Sequence, residues 1–175
     1  MKRPRFFLAA LLTASIAVGV GCSDQVGPNT PPPPPPQADL IGGLLRATGL
    51  LRCSPLPTAT ASQTIGPLGG VLRVGPHSLV VPPGALDRSL LITATAPSGN
   101  VNLVQFQPEG LRFRKSAALT MSYANCEGLG TLLPKRIAYT NNLLEILEYL
   151  LSLDNIFLKK VTGKLDHFSG YAVAW

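Results

Sequence analysis

From residue 70 onward, apolar and polar positions alternate in short runs, and each run is closed by residues that turn a chain. Val71-Leu72-Arg73-Val74 meets Gly75-Pro76, Ser78 to Val81 meets Pro82-Pro83-Gly84, and Leu90 to Ala96 meets Pro97-Ser98-Gly99-Asn100. Val101 to Gln107 is closed by Pro108-Glu109-Gly110, and similar runs occupy Ala117 to Tyr123, Arg136 to Thr140, Phe157 to Leu165 and Tyr171 to Trp175. Apolar runs of this length with β-branched residues predict strands, and Gly, Pro, Asn and Asp between them supply turn geometry. The spacing predicts an all-β fold, a β-sandwich spanning 62–175. One run fits two periods. Leu-Leu-Glu-Ile-Leu-Glu-Tyr-Leu-Leu-Ser-Leu over 143–153 suits a helical stripe as well as a strand, and the preceding Asn141-Asn142 suits a hairpin turn and favours the strand.

The first 61 residues follow a different pattern. Lys2, Arg3 and Arg5 are followed by an apolar stretch from Phe6 to Val20, then small residues and Cys22. This is the order of a secretory signal peptide, expected over 1–21, and the stretch is shorter than the roughly 20 residues of a spanning helix. Gly19-Val20-Gly21-Cys22 resembles the bacterial lipobox, with Gly19 where that motif usually carries Leu. The resemblance implies cleavage before Cys22, diacylglycerol on its thiol and a lipid-anchored protein of the bacterial cell envelope, facing periplasm or surface. The alternative is an ordinary signal peptide cut nearby or kept as an anchor. Residues 22–61 then form a tether and lead-in segment. Pro31 to Pro36 predict a polyproline II spacer, with a ligand for a proline-binding module as the other reading. Ala38 to Leu51 is apolar enough for a short amphipathic helix, which Gly42, Gly43 and Gly49 weaken. Pro55 and Pro57 favour an extended approach to the domain.

Charge narrows the partners. The formal net charge is +6, but without Lys2, Arg3 and Arg5 only 12 basic residues stand against 9 acidic ones. Basic residues form no dense run with interleaved aromatics in the remainder, so no nucleic-acid partner is expected. The expected partners are the membrane, through lipid on Cys22, and an envelope protein whose identity the sequence does not give.

Conventional catalytic chemistry is not legible. There are two histidines, His77 and His167; no acidic cluster accompanies them, and neither CxxC nor HExxH occurs, so no metal and no cofactor are expected. His77, beside Pro76 in a turn, is expected at the surface. No nucleophile elbow occurs, and Asp166 and His167, as neighbours along a strand, should point to opposite faces. Glu145 and Glu148 could face each other only on a helix. With Cys22 taken by lipid, Cys53 and Cys126 form an even pair in an oxidising compartment, where a disulfide joining the lead-in segment to the domain is expected; two separate thiols are the alternative.

Several separated motifs carry a family resemblance. Gly69-Gly70-Val71, Leu79-Val80-Val81-Pro82-Pro83-Gly84-Ala85-Leu86, Phe106-Gln107-Pro108-Glu109-Gly110-Leu111-Arg112-Phe113 and His167-Phe168-Ser169-Gly170-Tyr171 occur in that order. Together they resemble the ZU-five domain, named from zonula occludens protein, Unc-five netrin receptors and ankyrins, over roughly Ser62 to Trp175. The resemblance implies a β-sandwich used in protein contacts, and so a lipid-anchored interaction or scaffold module. It also implies a second role, because some ZU-five domains cut themselves between the Phe and Ser of His-Phe-Ser. Here Ser169 would be the nucleophile, His167 the base and Phe168 the acyl donor; in ankyrin-type members the same fold is kept without cutting.

Overall fold

The computed structural model describes residues 49–127 and 133–175. The expected signal peptide, Cys22 and the polyproline run lie outside them. Eleven strands follow in order: β1 (Ala59–Ile65), β2 (Gly70–Val74), β3 (His77–Val81), β4 (Leu90–Ala96), β5 (Leu103–Gln107), β6 (Arg112–Ser122), β7 (Arg136–Thr140), β8 (Ile146–Tyr149), β9 (Ser152–Asn155), β10 (Lys160–His167) and β11 (Gly170–Ala174). They form two antiparallel sheets, one in the order β1-β4-β5-β11-β7-β8 and the other β2-β3-β6-β10-β9.

Period two builds the core between them. Leu72 and Val74 of β2, Leu79 and Val81 of β3, and Ile92, Ala94 and Ala96 of β4 alternate with more exposed neighbours, and all seven belong to one buried cluster with Phe106, Leu119, Met121, Val161, Leu165 and Val173. A smaller cluster of Leu50, Val101, Ala138, Ala172 and Ala174 forms on the first sheet. β2 and β3 are joined by Gly75-Pro76, with Val74 paired to His77. Gly75 adopts φ +53, as the first position of a two-residue hairpin turn demands.

Four expectations change. His77 is buried, not at the surface: it shares the inward face of β3 with Leu79 and Val81, and its Nδ1 accepts the Ser122 N–H at 3.2 Å. The domain begins before Ser62. Leu50, Leu51 and Cys53 are buried, Leu51 N–H donates to Val173 O at 2.9 Å, and Leu50 bridges Ala174. The helix considered over 38–51 does not include its described end, where Gly49 has φ +78 and Leu50 pairs as β-structure. Finally, Phe157 to Lys159 are turn, not strand. Leu158 N–H is held by Asn155 Oδ1 at 3.0 Å, Lys159 takes φ +49, and β10 starts at Lys160.

The 143–153 run is strand, in two pieces. Among the described residues β8 ends the first sheet and β9 ends the second, so one short stretch crosses from sheet to sheet and supplies an edge strand to each. Ile137 of β7 stitches the crossing: its N–H donates to Ser152 Oγ at 3.0 Å and its carbonyl accepts Leu150 N–H at 2.8 Å. The Glu145–Glu148 pairing drops out with the helix. Asn141 holds the turn instead, through Glu145 Oε2 at 2.6 Å and the N–H groups of Leu143 and Glu145. Cys53 and Cys126 are joined in a disulfide across 73 residues of sequence.

Candidate functional site

The His167-Phe168-Ser169 corner connects β10 to β11. Its shape begins with a register shift between Leu165 and His167, where β10 leaves regular pairing with β6. Phe168 is fully buried. Its ring stacks on Phe106 at 4.8 Å and 14° and meets Phe113 edge-on at 5.0 Å and 86°. The main chain is fixed by the turn after β5: Phe168 N–H donates to Leu111 O (2.8 Å), Gly110 N–H donates to Phe168 O (3.0 Å), and Phe106 N–H donates to Ser169 O (3.2 Å). Two motifs more than fifty residues apart in sequence, Phe106 to Phe113 and His167 to Tyr171, therefore pack as one unit.

Around His167 the partners are phenols. Tyr171 Oη lies 3.4 Å from His167 Nδ1 and donates to the His167 carbonyl at 2.6 Å, while the Tyr139 ring meets the imidazole edge-on at 5.1 Å. Burial, then the nearby Tyr139, Glu148 and Asp166, raise the Tyr171 pKa well above the ordinary phenol range, so Tyr171 remains a hydrogen-bond donor at physiological pH.

The corner opens on two clefts. Ser169 lines one of about 240 Å³, together with Gln105, Gln107, Tyr139, Thr140 and Asn142. His167 lines another of about 290 Å³, with Ser116, Glu148, Lys164, Asp166 and Tyr171. Among the described residues no hydrogen bond joins the His167 imidazole to the Ser169 hydroxyl. The structure thus gives the Phe168 carbonyl one polarising donor, Gly110 N–H, and leaves the expected base and nucleophile on separate clefts. Asp166 and His167, neighbours along the strand, nevertheless line the same cleft, where Asp166 Oδ1 accepts Ser116 Oγ–H at 2.6 Å.

Sequence reasoning missed two buried polar arrangements. In one, Asp154 accepts Tyr123 Oη–H at 2.7 Å and Lys135 N–H at 2.9 Å, beneath a Lys135 side chain that is itself buried and donates to Leu133 O. Burial lowers the Lys135 pKa, against the opposing effect of Asp154. In the other, Thr140 Oγ1 is buried with no partner. On β7, Ile137 and Tyr139 face the main core and Thr140 shares the opposite face with Ala138, so neither Thr140 nor Lys135 is marked as buried by inward-facing alternation. Among the described residues, no group of three or more His, Cys, Asp or Glu is placed to hold a metal.

The other exceptional surface is the free edge over 146–158. Leu147, Tyr149, Leu151, Leu153, Ile156, Phe157 and Leu158 are all exposed there, Leu153 at 79% and Phe157 at 93%. No known family and no curated protein matches the chain.

Proposed function

We propose that this chain is an exported, lipid-anchored envelope protein that displays a ZU-five-like β-sandwich as a protein-interaction module. The observation that carries the reading is the free edge β8–β9. Among the described residues each of these strands is paired on one side only, and Leu147 of β8, Leu153 of β9 and Leu151 between them are exposed. A free edge offers unpaired N–H and C=O groups, and apolar side chains beside it add affinity for an extended segment of a partner. The occupant in this reading is an extended, apolar stretch of an envelope protein that adds a strand to β9. The packing of Phe106 to Phe113 on His167 to Tyr171 supports the ZU-five assignment, and the Gly19-to-Cys22 sequence supports the anchor.

Two experiments test it. A photo-crosslinking residue at position 153 should give, in whole cells, one discrete adduct that Leu151→Lys abolishes; no adduct, or an adduct insensitive to Leu151→Lys, overturns the docking edge. In cells fed radiolabelled palmitate the protein should take up label and Cys22→Ser should not; a parent protein without label, or a variant that keeps it, overturns the lipid anchor.

One observation favours a second role, self-cleavage: the Gly110 N–H on the Phe168 carbonyl at 3.0 Å would hold the oxygen that turns negative on attack. In that reaction Ser169 Oγ attacks the Phe168 carbonyl carbon, the C–N bond breaks, and an ester forms while the Ser169 nitrogen takes a proton. Water then hydrolyses the ester to a Phe168 carboxylate and a free Ser169 hydroxyl. Because His167 and Ser169 open on different clefts, one side chain must rotate for the base to reach the hydroxyl. Intact mass of the denatured protein, beside Ser169→Ala, decides it: loss of residues 169–175 from the parent alone establishes the role, and full-length mass in both removes it.

A further inference from the structure

The β9–β10 hairpin ends in Ile156-Phe157-Leu158, three large apolar side chains exposed at 59%, 93% and 65%, followed by the exposed Lys159 and Lys160. We infer that this tip is a membrane-docking loop that inserts into the surface of an anionic phospholipid bilayer. The proposal rests on the lipid-anchor reading for its cellular setting, but the contact itself belongs to the folded domain.

Three observations select this occupant. The tip is held ready: Asn155 Oδ1 accepts Leu158 N–H at 3.0 Å, and Lys159 O accepts Tyr123 N–H at 2.8 Å, so the apolar triplet needs little ordering on contact. The charge is complementary. Two adjacent cations follow the triplet without an intervening acid, and apolar side chains flanked by Lys suit the boundary between acyl chains and anionic headgroups. The position fits as well. From Lys159 the contacts run through Tyr123 to Asp154, from Asp154 to Lys135, and from Arg136, paired with Ala174, to Trp175, whose N–H donates to Gly49 O at 3.1 Å. The tip and the point where the chain from Cys22 reaches the domain therefore lie at one end of the two sheets.

A bilayer needs no preformed socket to receive a protruding phenyl ring, and a second copy seated on the tip is an outcome the test below separates. Gly49 lies 27 residues beyond Cys22, a reach of up to about 90 Å when extended, so an anchored domain can bring its tip down to the same bilayer. Anchoring turns that second contact into an intramolecular one, and a weak insertion then suffices.

The test uses the unacylated chain from Ser23 to Trp175, which keeps every core residue named above, in sedimentation with vesicles of phosphatidylglycerol and phosphatidylcholine. The chain should bind these vesicles, bind pure phosphatidylcholine more weakly, and lose affinity roughly tenfold on Phe157→Ser and by a similar factor on the joint change Lys159→Glu, Lys160→Glu. Leu68→Ser, at an equally exposed leucine in the β1–β2 turn, should change nothing, and thermal midpoints should show all variants folded. Absence of binding, equal losses for Leu68→Ser and Phe157→Ser, or a self-association that Phe157→Ser dissolves would each overturn the proposal. Because no acyl chain is present, failure here leaves the Cys22 anchor standing, and a negative palmitate-labelling result leaves the vesicle result intact.

Discussion

The Tyr171 phenol donates to the main-chain carbonyl of His167 at 2.6 Å, closing the corner between β10 and β11 from within the core. A side chain four residues on thereby gives this carbonyl a donor just past the register shift between Leu165 and His167.

Removing that hydroxyl leaves the carbonyl without this donor. Tyr171→Phe keeps the ring and should lower the unfolding free energy by about 1–2 kcal/mol, measured by urea titration at neutral pH. The same hydroxyl predicts an alkaline effect. Its pKa is raised in the folded state, so its contribution is complete below the unfolded phenol value near 10 and is lost as pH rises above it. Tyr171→Phe should make the stability profile above pH 10 less steep.

His77 predicts an effect at the acid end. Burial lowers its pKa from 6.5 to about 4, and the neutral imidazole accepts Ser122 N–H through Nδ1. Between those two values the unfolded chain binds a proton that the folded chain refuses. Stability should fall by about 3 kcal/mol as pH drops through this window and level off below it. In His77→Asn, which can still accept the Ser122 N–H, this part of the slope should vanish. The difference between the two proteins' urea midpoints at pH 7 and pH 4.5 isolates it from the carboxylates.

The disulfide closes a loop of 73 residues. Reduction, or the joint change Cys53→Ser, Cys126→Ser, should cost about 2–4 kcal/mol. The loss should appear in denaturant midpoints, while the far-ultraviolet spectrum below the transition stays that of a β protein.

Gly69 cannot carry a side chain. Its φ is +76, and a Cβ there would stand 2.3 Å from Val81 O and 2.9 Å from the Pro82 carbonyl carbon. Gly69→Ala should destabilise the protein by about 1–3 kcal/mol, whereas Gly99→Ala, with nothing within 4 Å, should leave the thermal midpoint nearly unchanged.

The strands were legible wherever one face meets the core and turn residues bound the run. Leu90 to Ala96 and Arg136 to Thr140 are β4 and β7 residue for residue. The 143–153 run resisted because its chain changes sheets midway. Side chains on either side of the crossing then answer to different neighbours, and no single period describes them. His77 was readable in principle: His77, Leu79 and Val81 keep strict alternation, and the polar character of imidazole hid its place in that series. The lead-in leucines, Leu50 and Leu51, were masked by glycines and prolines on both sides, although two adjacent large apolar residues need cover. At the candidate site, adjacency in sequence placed His167, Phe168 and Ser169 together. Which cleft each side chain faces depends on the register shift, which no local pattern announces.

Strand β11 lies between β5 and β7 in the first sheet, so residues 170–174 are its middle rather than its border. A chain emerging from a ribosome or an export channel therefore presents β1, β4 and β5 as one partial sheet and β7 and β8 as another, with nothing to join them until residue 170 has followed. Over that interval both partial sheets keep open sides that invite chaperones, proteases or other nascent chains. The fold comes together late, and a chain that stops before Gly170 is left with two fragments of a sheet instead of a shortened domain, whereas a cut made there after folding leaves β11 paired between β5 and β7.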